Sequence, residues 1–293
     1  MAVSRLFLID KPAGASSFTA LGTLKKRLGT RKVGHAGTLD PFATGLLTAL
    51  SGKLTRAAFL LADLDKSYRA TIRFGEETDT LDTEGEVVAR DSIPSLEAIR
   101  DAASRFSGEI LQIPPRFSAV KINGRRAYAD ARLGRNVEIP QRRVRIHRFD
   151  IESWDGRDLE VSIACSKGTY IRSIARDLGL AAGSRAYCRA LRRTSVGPFD
   201  IAAARRPDDL GVDDGWTPER VFDSLGLPLV PISLPAVRRA LDGVPPTRIP
   251  GFPDLPAGLS ALIGPSGNVA ALMENHEGRS GYRIVFDSGY PKT

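Results

Sequence analysis

The chain has 293 residues, of which 42% are hydrophobic and 26% charged, and its 42 Lys and Arg against 34 Asp and Glu give a formal net charge of +8. These proportions are typical of a globular protein and exclude a chain that is disordered throughout. No apolar run approaches the roughly 20 residues that cross a bilayer, and the first residues lack a secretory signal pattern, so we expect a cytoplasmic protein with no membrane partner.

The first part of the chain predicts a short strand, a helix and a loop. Residues 5–9 have the apolar pattern of a strand, and Ser16 or Ser17 can cap a helix that ends at Gly29. Residues 33–40 are rich in glycine, which predicts a loop.

Two segments that follow this loop favour helices. Pro41 suits the first position of a helix whose N-cap is Asp40, so residues 43–49 are predicted to be a short helix or a buried strand. Residues 55–64 carry apolar side chains at helical spacing.

Strand patterns dominate the middle of the chain. Period-two or continuous apolar patterns predict strands at residues 67–74, 117–122, 144–154, 159–166 and 186–196. Helices are predicted at residues 94–106 and 170–178, the second capped by Thr169 and ended at Gly179. Because strands and few helices alternate without a regular repeat, the expected fold is α+β with a mixed sheet.

The composition changes near residue 228. Ten of the 19 prolines lie in the last 66 residues, together with one helix pattern at 235–241 and strand patterns at 259–263, 269–274 and 282–286. We therefore expect a main domain at 1–227 and a small β-rich domain at 228–293. The alternative is a C-terminal extension packed on the main domain.

The basic excess is concentrated in one segment. Residues 142–206 contain 14 Lys and Arg against 7 Asp and Glu, whereas residues 229–293 contain 6 against 5. A local basic excess is the electrostatic footprint of a protein that binds a polyanion such as a nucleic acid. A solvated basic face without a partner is the alternative interpretation.

Histidine and cysteine spacing gives no sign of a metal site. The three histidines, His35, His147 and His276, lie far apart and pair with no cysteine at helical spacing. Cys165 and Cys188 fit no close-spaced ligand pattern, so we expect two reduced thiols. No G-x-S-x-G motif predicts a hydrolase. We expect neither a metal nor a cofactor.

The segment from Gly34 to Gly45, GHAGTLDPFATG, is the densest candidate site. Its glycines permit backbone conformations that bring a ligand close. Asp40 before Pro41 has two interpretations: a helix cap that has only a structural role, or an ionised carboxylate that a helix N-terminus holds in place as a nucleophile or general base.

GHAGTLDPFATGLL resembles the catalytic motif of the TruB family of pseudouridine synthases. Further segments match the family in the same order: 10–12 with Gly14 and Ser16-Ser17, 66–70 (KSYRA), 78–80 (TDT), 113–115 with 117–119, and 165–172 (CSKGTYIR). The resemblance runs from about residue 5 to residue 200, and the motifs together are highly specific. Ala36 and Phe42 stand where the family more often has Thr and Leu.

The resemblance implies a role for each matching residue. Asp40 corresponds to the catalytic aspartate, Tyr68 to the tyrosine that stacks on the flipped uracil, and Arg172 to the arginine that pairs with the carboxylate. His35, Tyr170 and Leu191 correspond to positions that line the nucleotide pocket or fill the space that the base leaves. The residues that correspond to a motif supporting the active-site loop are Lys11 and Pro12. The candidate phosphate contacts are Arg142, Arg143, Arg145, Arg189, Arg192 and Arg193.

The resemblance also implies the fold and the activity. The expected fold is the pseudouridine synthase α+β fold with a mixed, largely antiparallel sheet, followed by a PUA-like β-rich domain. The expected activity is isomerisation of uridine 55 in the T stem-loop of tRNA by a monomer. Two alternatives stay open: a guide-RNA-dependent pseudouridine synthase and a non-catalytic factor that binds or folds tRNA. The carboxylate of Asp40 argues against the second, because it does not help to bind a polyanion.

Overall fold

The structure is a computed structural model that describes residues 3–118, 121–122, 125–126 and 139–286. Its strands are β1 (Leu6–Lys11), β2 (Val33–Ala36), β3 (Thr44–Ser51), β4 (Lys66–Phe74), β5 (Glu76–Thr78), β6 (Val87–Arg90), β7 (Gly108–Gln112), β8 (Lys121–Ile122), β9 (Arg125–Arg126), β10 (Arg142–Trp154), β11 (Asp158–Cys165), β12 (Ala186–Val196), β13 (Phe199–Asp200), β14 (Leu229–Pro231), β15 (Gly258–Ile263), β16 (Val269–His276) and β17 (Arg279–Val285). Its α-helices are α1 (Ser17–Arg27), α2 (Ala58–Ala62), α3 (Leu96–Ala103), α4 (Ile171–Ala181), α5 (Pro218–Ser224) and α6 (Leu234–Leu241).

A nine-stranded mixed sheet forms the centre of the molecule. Seven strands follow one another in the order β1-β3-β12-β4-β11-β10-β7, while β2 pairs with β3 and β13 pairs with β12. The pairing of β3 with β12 is parallel, and the other pairings in this sheet are antiparallel. The prediction of an α+β fold with a mixed, largely antiparallel sheet is therefore confirmed.

Strand β4 shows how the sheet divides core from solvent. Ala70, Ile72 and Phe74 alternate along one face and are buried in the main hydrophobic core, where Ile174 and Leu178 of α4 also lie. Because side chains of a strand alternate between faces, the residues between them point away from this core. The same alternation places Tyr68 on the core face of β4.

A glycine makes the parallel pairing of β3 with β12 possible. Gly45 lies opposite Arg193 and has φ of +99°, a backbone conformation that residues with a Cβ rarely adopt. A Cβ at residue 45 would lie 2.8 Å from the backbone nitrogen of Arg193 and still closer to its carbonyl oxygen. The close approach of the two strands therefore depends on the absence of a side chain here.

The C-terminal residues form a second sheet, with the order β14-β15-β16-β17. Leu262, Met273 and the helix residue Val237 belong to its own hydrophobic cluster. Leu272 and Ile284 point the other way and join a cluster that also contains residues of β1 and β3. The sheet thus has a core of its own and also packs on the central sheet; whether it is PUA-like and whether 228 is the domain boundary stay predictions.

Several sequence-based predictions of local structure are wrong. Residues 33–36 of the predicted loop form β2, because they pair with the end of β3. Of the two alternatives for residues 43–49, a short helix or a buried strand, the buried strand is correct: residues 44–51 form β3, whose pairing with β1 overrides the helix-start signal at Pro41. Asp40 is therefore not a helix cap.

Some helix boundaries in the structure also differ from the predicted ones. Tyr170, not Thr169, is the N-cap residue of α4, which continues two residues past Gly179. The Thr169 hydroxyl instead donates to the Ser166 carbonyl oxygen. Within residues 55–64 only 58–62 are α-helical, after a 3₁₀ turn.

Two further predictions concern the strand at residues 117–122 and membrane spans. Of the strand predicted at 117–122, only Lys121–Ile122 is extended in the described part, and 119–120 lie outside it. None of the helices in the described ranges has the length and apolar character to span a membrane.

Candidate active site

A cavity of about 300 Å³ opens where the segment before β3 meets β4, β12 and the start of α4. Five of the six predicted site residues line it: Asp40, Tyr68, Tyr170, Arg172 and Leu191. The other lining residues are Gly37, Thr38, Leu39, Ala62, Lys66, Ser166, Gly168, Thr169, Ile171 and Arg193. The chain thus brings together residues from four distant segments of sequence.

Residues 37–43, the catalytic loop, connect β2 to β3. Arg193 donates to the Gly37 carbonyl oxygen at 2.9 Å, and Ser17 donates to that of Leu39 at 3.0 Å while accepting from the Leu39 N–H. Lys11 donates to the Pro41 carbonyl oxygen. The carbonyl groups of residues 37, 39 and 41 are therefore each held by a side chain from another element.

Lys11 completes this support. Its ammonium is fully buried and donates to the carbonyl oxygens of Pro41, Ala15 and Pro12 at 3.2, 2.6 and 2.9 Å. Burial lowers the pKa of Lys11 to about 8, although the nearby Asp40 opposes this shift. The contact with Pro41 is the arrangement expected if residues 11 and 12 support the active-site loop.

Asp40 is paired with Arg172. The Asp40 carboxylate lies 2.9 Å from one terminal nitrogen of the Arg172 guanidinium, and the other terminal nitrogen contacts the carboxylate of Asp82 at 3.0 Å. Arg172 also donates to the carbonyl oxygens of Thr80 at 2.8 Å and Phe117 at 2.9 Å. A buried arginine, held on several sides, therefore fixes the position of the carboxylate.

The electrostatic environment of Asp40 differs from the one predicted. No helix begins at Asp40 itself, although the first turn of α4 lines the same cavity. Burial raises the pKa of Asp40, the positive charge of Arg172 opposes this, and the negative charge of Asp82 reinforces it. A carboxylate whose charge is poorly solvated is a stronger base and nucleophile than a surface aspartate, and the arginine keeps it in place.

Tyr68 and Leu191 provide the flat and apolar surfaces of the cavity. Tyr68 lies on β4, and burial raises its pKa, with the positive charge of Arg193 opposing the shift. Its hydroxyl therefore stays protonated. Leu191 lies on β12, opposite Ala70, and is 8% exposed.

Tyr170 lies at the rim, between β7 and β10. Its N–H donates to the side-chain oxygen of Gln112 at 2.8 Å and its carbonyl accepts from the Gln112 amide at 3.0 Å. The guanidinium of Arg142 lies 4.5 Å from the centre of the Tyr170 ring. The Gln112 side chain therefore holds the Tyr170 backbone, and the cation–π contact with Arg142 orients the ring.

His35 does not line the cavity. It lies on β2 opposite Ala49, and burial together with the charges of Arg193 and Lys25 lowers its pKa, so it is neutral at physiological pH. Its buried Nδ1 has no partner among the described residues. The role that the family resemblance implies for His35 stays a prediction.

The basic residues proposed as phosphate contacts divide into three groups. Arg193 is 2% exposed and donates to the Leu46 and Gly37 carbonyl oxygens, so its guanidinium is held by the protein, and its phosphate contact stays a prediction. Arg189 and Arg192 pair with Asp158 and Asp10, and Arg143 pairs with Glu109. Arg142 and Arg145 stay candidates.

Sequence reasoning did not identify Arg193 and Asp82 as site residues. A signal for Arg193 was present, because it is two residues from Leu191 and side chains two apart on a strand share a face. Asp82 follows the TDT motif closely, but only the folded chain shows that it contacts Arg172.

The solved structures identify the class. A chain in the crystal structure of a Cbf5-Nop10-Gar1 complex has a TM-score of 0.71 and 27% identity, covering 99% of this chain and 86% of that one. The N-terminal domain of the TruB family pseudouridylate synthases matches residues 25–171, which contain Asp40, Tyr68 and Tyr170. The chain thus belongs to the pseudouridine synthases, a class of isomerases.

Curated relatives narrow the class to one family. A tRNA pseudouridine synthase B from Thermobifida fusca is 40% identical over 289 residues, which cover 95% of this chain and 97% of the relative. One from Mycobacterium bovis is 42% identical over 287 residues, covering 94% and 93%. One from Bordetella avium is 48% identical over 209 residues, covering 70% and 86%. The chain belongs to the TruB family.

Proposed function

We propose that this protein converts uridine 55 in the T stem-loop of tRNA to pseudouridine. The relatives that match nearly the whole chain are tRNA pseudouridine synthases B. The observation that carries the proposal is the Asp40–Arg172 pair, at 2.9 Å, in a cavity that also contains Tyr68 and Leu191. About 300 Å³ is enough to admit a nucleotide base.

The chemistry requires one positioned carboxylate. The N1–C1′ bond of uridine breaks, the uracil turns, and a C5–C1′ bond forms; the proton on C5 leaves and N1 gains one. The oxidation state does not change. Asp40 adds to the sugar or the base, or assists the cleavage, and its poorly solvated charge favours each of these roles.

The other cavity residues hold the base while it is detached. The aromatic face of Tyr68 stacks on uracil without directional hydrogen bonds, so the base can turn against it. Leu191 packs against its edge. Extruding the nucleotide from the RNA stack costs a few kcal/mol, which contacts to the RNA backbone offset.

The alternatives differ in what they need for turnover. A guide-RNA-dependent enzyme needs a guide and protein partners, and a binding factor retains tRNA without turning it over. The likeness to a chain from a Cbf5-Nop10-Gar1 complex, at 27% identity, concerns a protein in an assembly. The tRNA pseudouridine synthases B that match more than nine-tenths of this chain are 40% and 42% identical to it.

The test is release of tritium from tRNA labelled at uracil C5, with purified protein and no added RNA or partner. Wild type should release tritium, and Asp40→Asn should release none while binding tRNA within about tenfold of wild type. A transcript with cytidine at position 55 is the positional control. Binding without release by wild type, or release from the cytidine transcript, would contradict the proposal.

A further inference from the structure

Helix α1 presents a basic and aromatic surface that the proposed reaction does not use. Between Lys11 and Leu39 the chain has six basic residues and no acidic one. Four of them, with one phenylalanine, form what we call the α1 surface: Phe18, Lys25, Lys26, Arg31 and Lys32. Lys11 is buried beneath the catalytic loop, and Arg27 donates to the Leu210 carbonyl oxygen.

Phe18 is unusually accessible. It is 76% exposed, more than any other large hydrophobic side chain in the described ranges. Lys25 follows two helical turns later on the same face, and its ammonium lies 5.5 Å from the centre of the Phe18 ring. An aromatic face open to solvent beside an ammonium group is the arrangement that stacks on an unpaired base and contacts its phosphate.

The cations of the α1 surface have no carboxylate partner among the described residues, whereas most cations of residues 142–206 do. Ten of the 14 cations in residues 142–206 form ion pairs with carboxylates. In the described part of the chain no carboxylate pairs with Lys25, Lys26, Arg31 or Lys32. Free cations release counterions from a polyanion, whereas paired ones must first lose their partner.

Helix α1 is hydrogen-bonded to the catalytic loop. Ser17, adjacent to Phe18, exchanges two hydrogen bonds with Leu39, the residue before Asp40. Lys25 is also close enough to His35 to lower the pKa of its ring. RNA whose target nucleotide occupies the cavity therefore has neighbouring nucleotides within reach of this helix.

We propose that the α1 surface is a second contact for the substrate RNA, in which an unpaired base stacks on Phe18 and Lys25, Lys26, Arg31 and Lys32 bind the flanking phosphates. The proposal rests on the proposed function for the identity of the RNA. On this proposal, the α1 surface makes salt-dependent contacts with RNA phosphates that the sequence alone would place in residues 142–206.

The first test measures the contribution of the ring. In the Asp40→Asn background, which binds without turnover, Phe18→Ala should weaken binding of a T stem-loop RNA roughly tenfold, and Phe18→Trp should retain or strengthen it. Leu180→Ala is the matched control, because Leu180 is also an exposed apolar residue of a helix, 49% exposed. In the active enzyme, Phe18→Ala should raise KM and leave kcat unchanged.

The second test measures the charges. The double variant Lys25→Gln, Lys26→Gln should reduce the slope of log affinity against log salt by roughly one to two. The control removes two exposed cations that are ion-paired, Arg90 with Glu76 and Arg148 with Asp150, and should leave the slope unchanged. Melting temperatures confirm that each variant is folded.

The outcomes separate this proposal from the proposed function. Equal RNA affinity for Phe18→Ala and Leu180→Ala, or an unchanged salt slope for the lysine variant, would overturn the α1 surface. Wild-type protein that releases no tritium would overturn the activity, yet its binding measurements would still decide the role of α1.

Discussion

The Arg172 guanidinium bridges two carboxylates, Asp40 in the cavity and Asp82 behind it. The Asp82 side chain is only 3% exposed, whereas that of Asp40 is 36% exposed. Asp82 also accepts hydrogen bonds from the Thr80 hydroxyl at 2.6 Å and the Glu84 N–H at 2.9 Å. Asp82 therefore anchors the arginine, and the arginine in turn positions the accessible carboxylate.

We expect Asp82→Asn to lower kcat about 100-fold with little change in KM, because misplacing Arg172 and Asp40 by about 1 Å has an effect of this size. The asparagine oxygen can still accept from Thr80 and Glu84, so the fold is retained. Asp79→Asn is the control, since Asp79 accepts from the Glu86 N–H in the same region. Steady-state tritium release measures both. A variant with wild-type kcat would show that Arg172 needs no second carboxylate.

The activity should fall on acidification at a higher pH than an ordinary aspartate would require. Asp40 must be ionised to react, and burial raises its pKa. The acid limb of kcat/KM against pH reports a group of the free enzyme, and we expect it above the usual aspartate range. A limb at or below pH 4, near the ordinary aspartate pKa, would contradict this assignment.

Asp40→Asn should also change the pH dependence of stability. Because the folded-state pKa of Asp40 is raised above its unfolded value, its ionisation destabilises the folded protein, and this penalty disappears as pH falls through the folded pKa. The free energy of unfolding of the variant, relative to that of wild type, should therefore increase as the pH rises from acidic to neutral. Urea unfolding at several pH values measures the difference; a gain confined to acidic pH would show the opposite shift.

Tyr68 is expected to act through its ring. Tyr68→Ala should reduce turnover more than 100-fold, because the base loses the surface against which it turns. Tyr68→Phe keeps the ring and removes only the hydroxyl, so it should retain much more activity than the alanine variant. Tritium release compares the two. Activity near wild type for Tyr68→Ala would return this residue to a packing role.

Gly45→Ala should destabilise the fold by about 2–4 kcal/mol, because its φ of +99° is strained for alanine and the Cβ meets the backbone of Arg193. Gly22→Ala is the matched control: Gly22 lies within α1 with open space around its Cα. That substitution should stabilise the protein by about 0.5–1 kcal/mol. Urea unfolding gives both values, and equal effects would refute the role of Gly45.

Local patterns predicted elements well where one face of a strand is buried. The strand predicted at 186–196 has these bounds in the structure, as β12. The sequence left a helix and a buried strand open for residues 43–49, and the strand formed because pairing with β1 decides the conformation of residues 44–51. A local signal carries no information about a distant partner. The family resemblance named five of the residues that line the cavity but not Arg193, and it did not name Asp82 behind the cavity. Charge counting could not show that most cations of residues 142–206 are paired.

The three supports of the catalytic loop have a mechanical consequence. Arg193, Ser17 and Lys11 donate hydrogen bonds to alternate carbonyl groups of this loop, and the strands at its two ends, β2 and β3, pair with each other in the central sheet. In the proposed reaction a carboxylate held in this way keeps its place, so the target nucleotide must move to reach it. We therefore expect the protein to select RNAs by their deformability, because a nucleotide in a loop leaves its stack at a lower cost than one in a stiff helix.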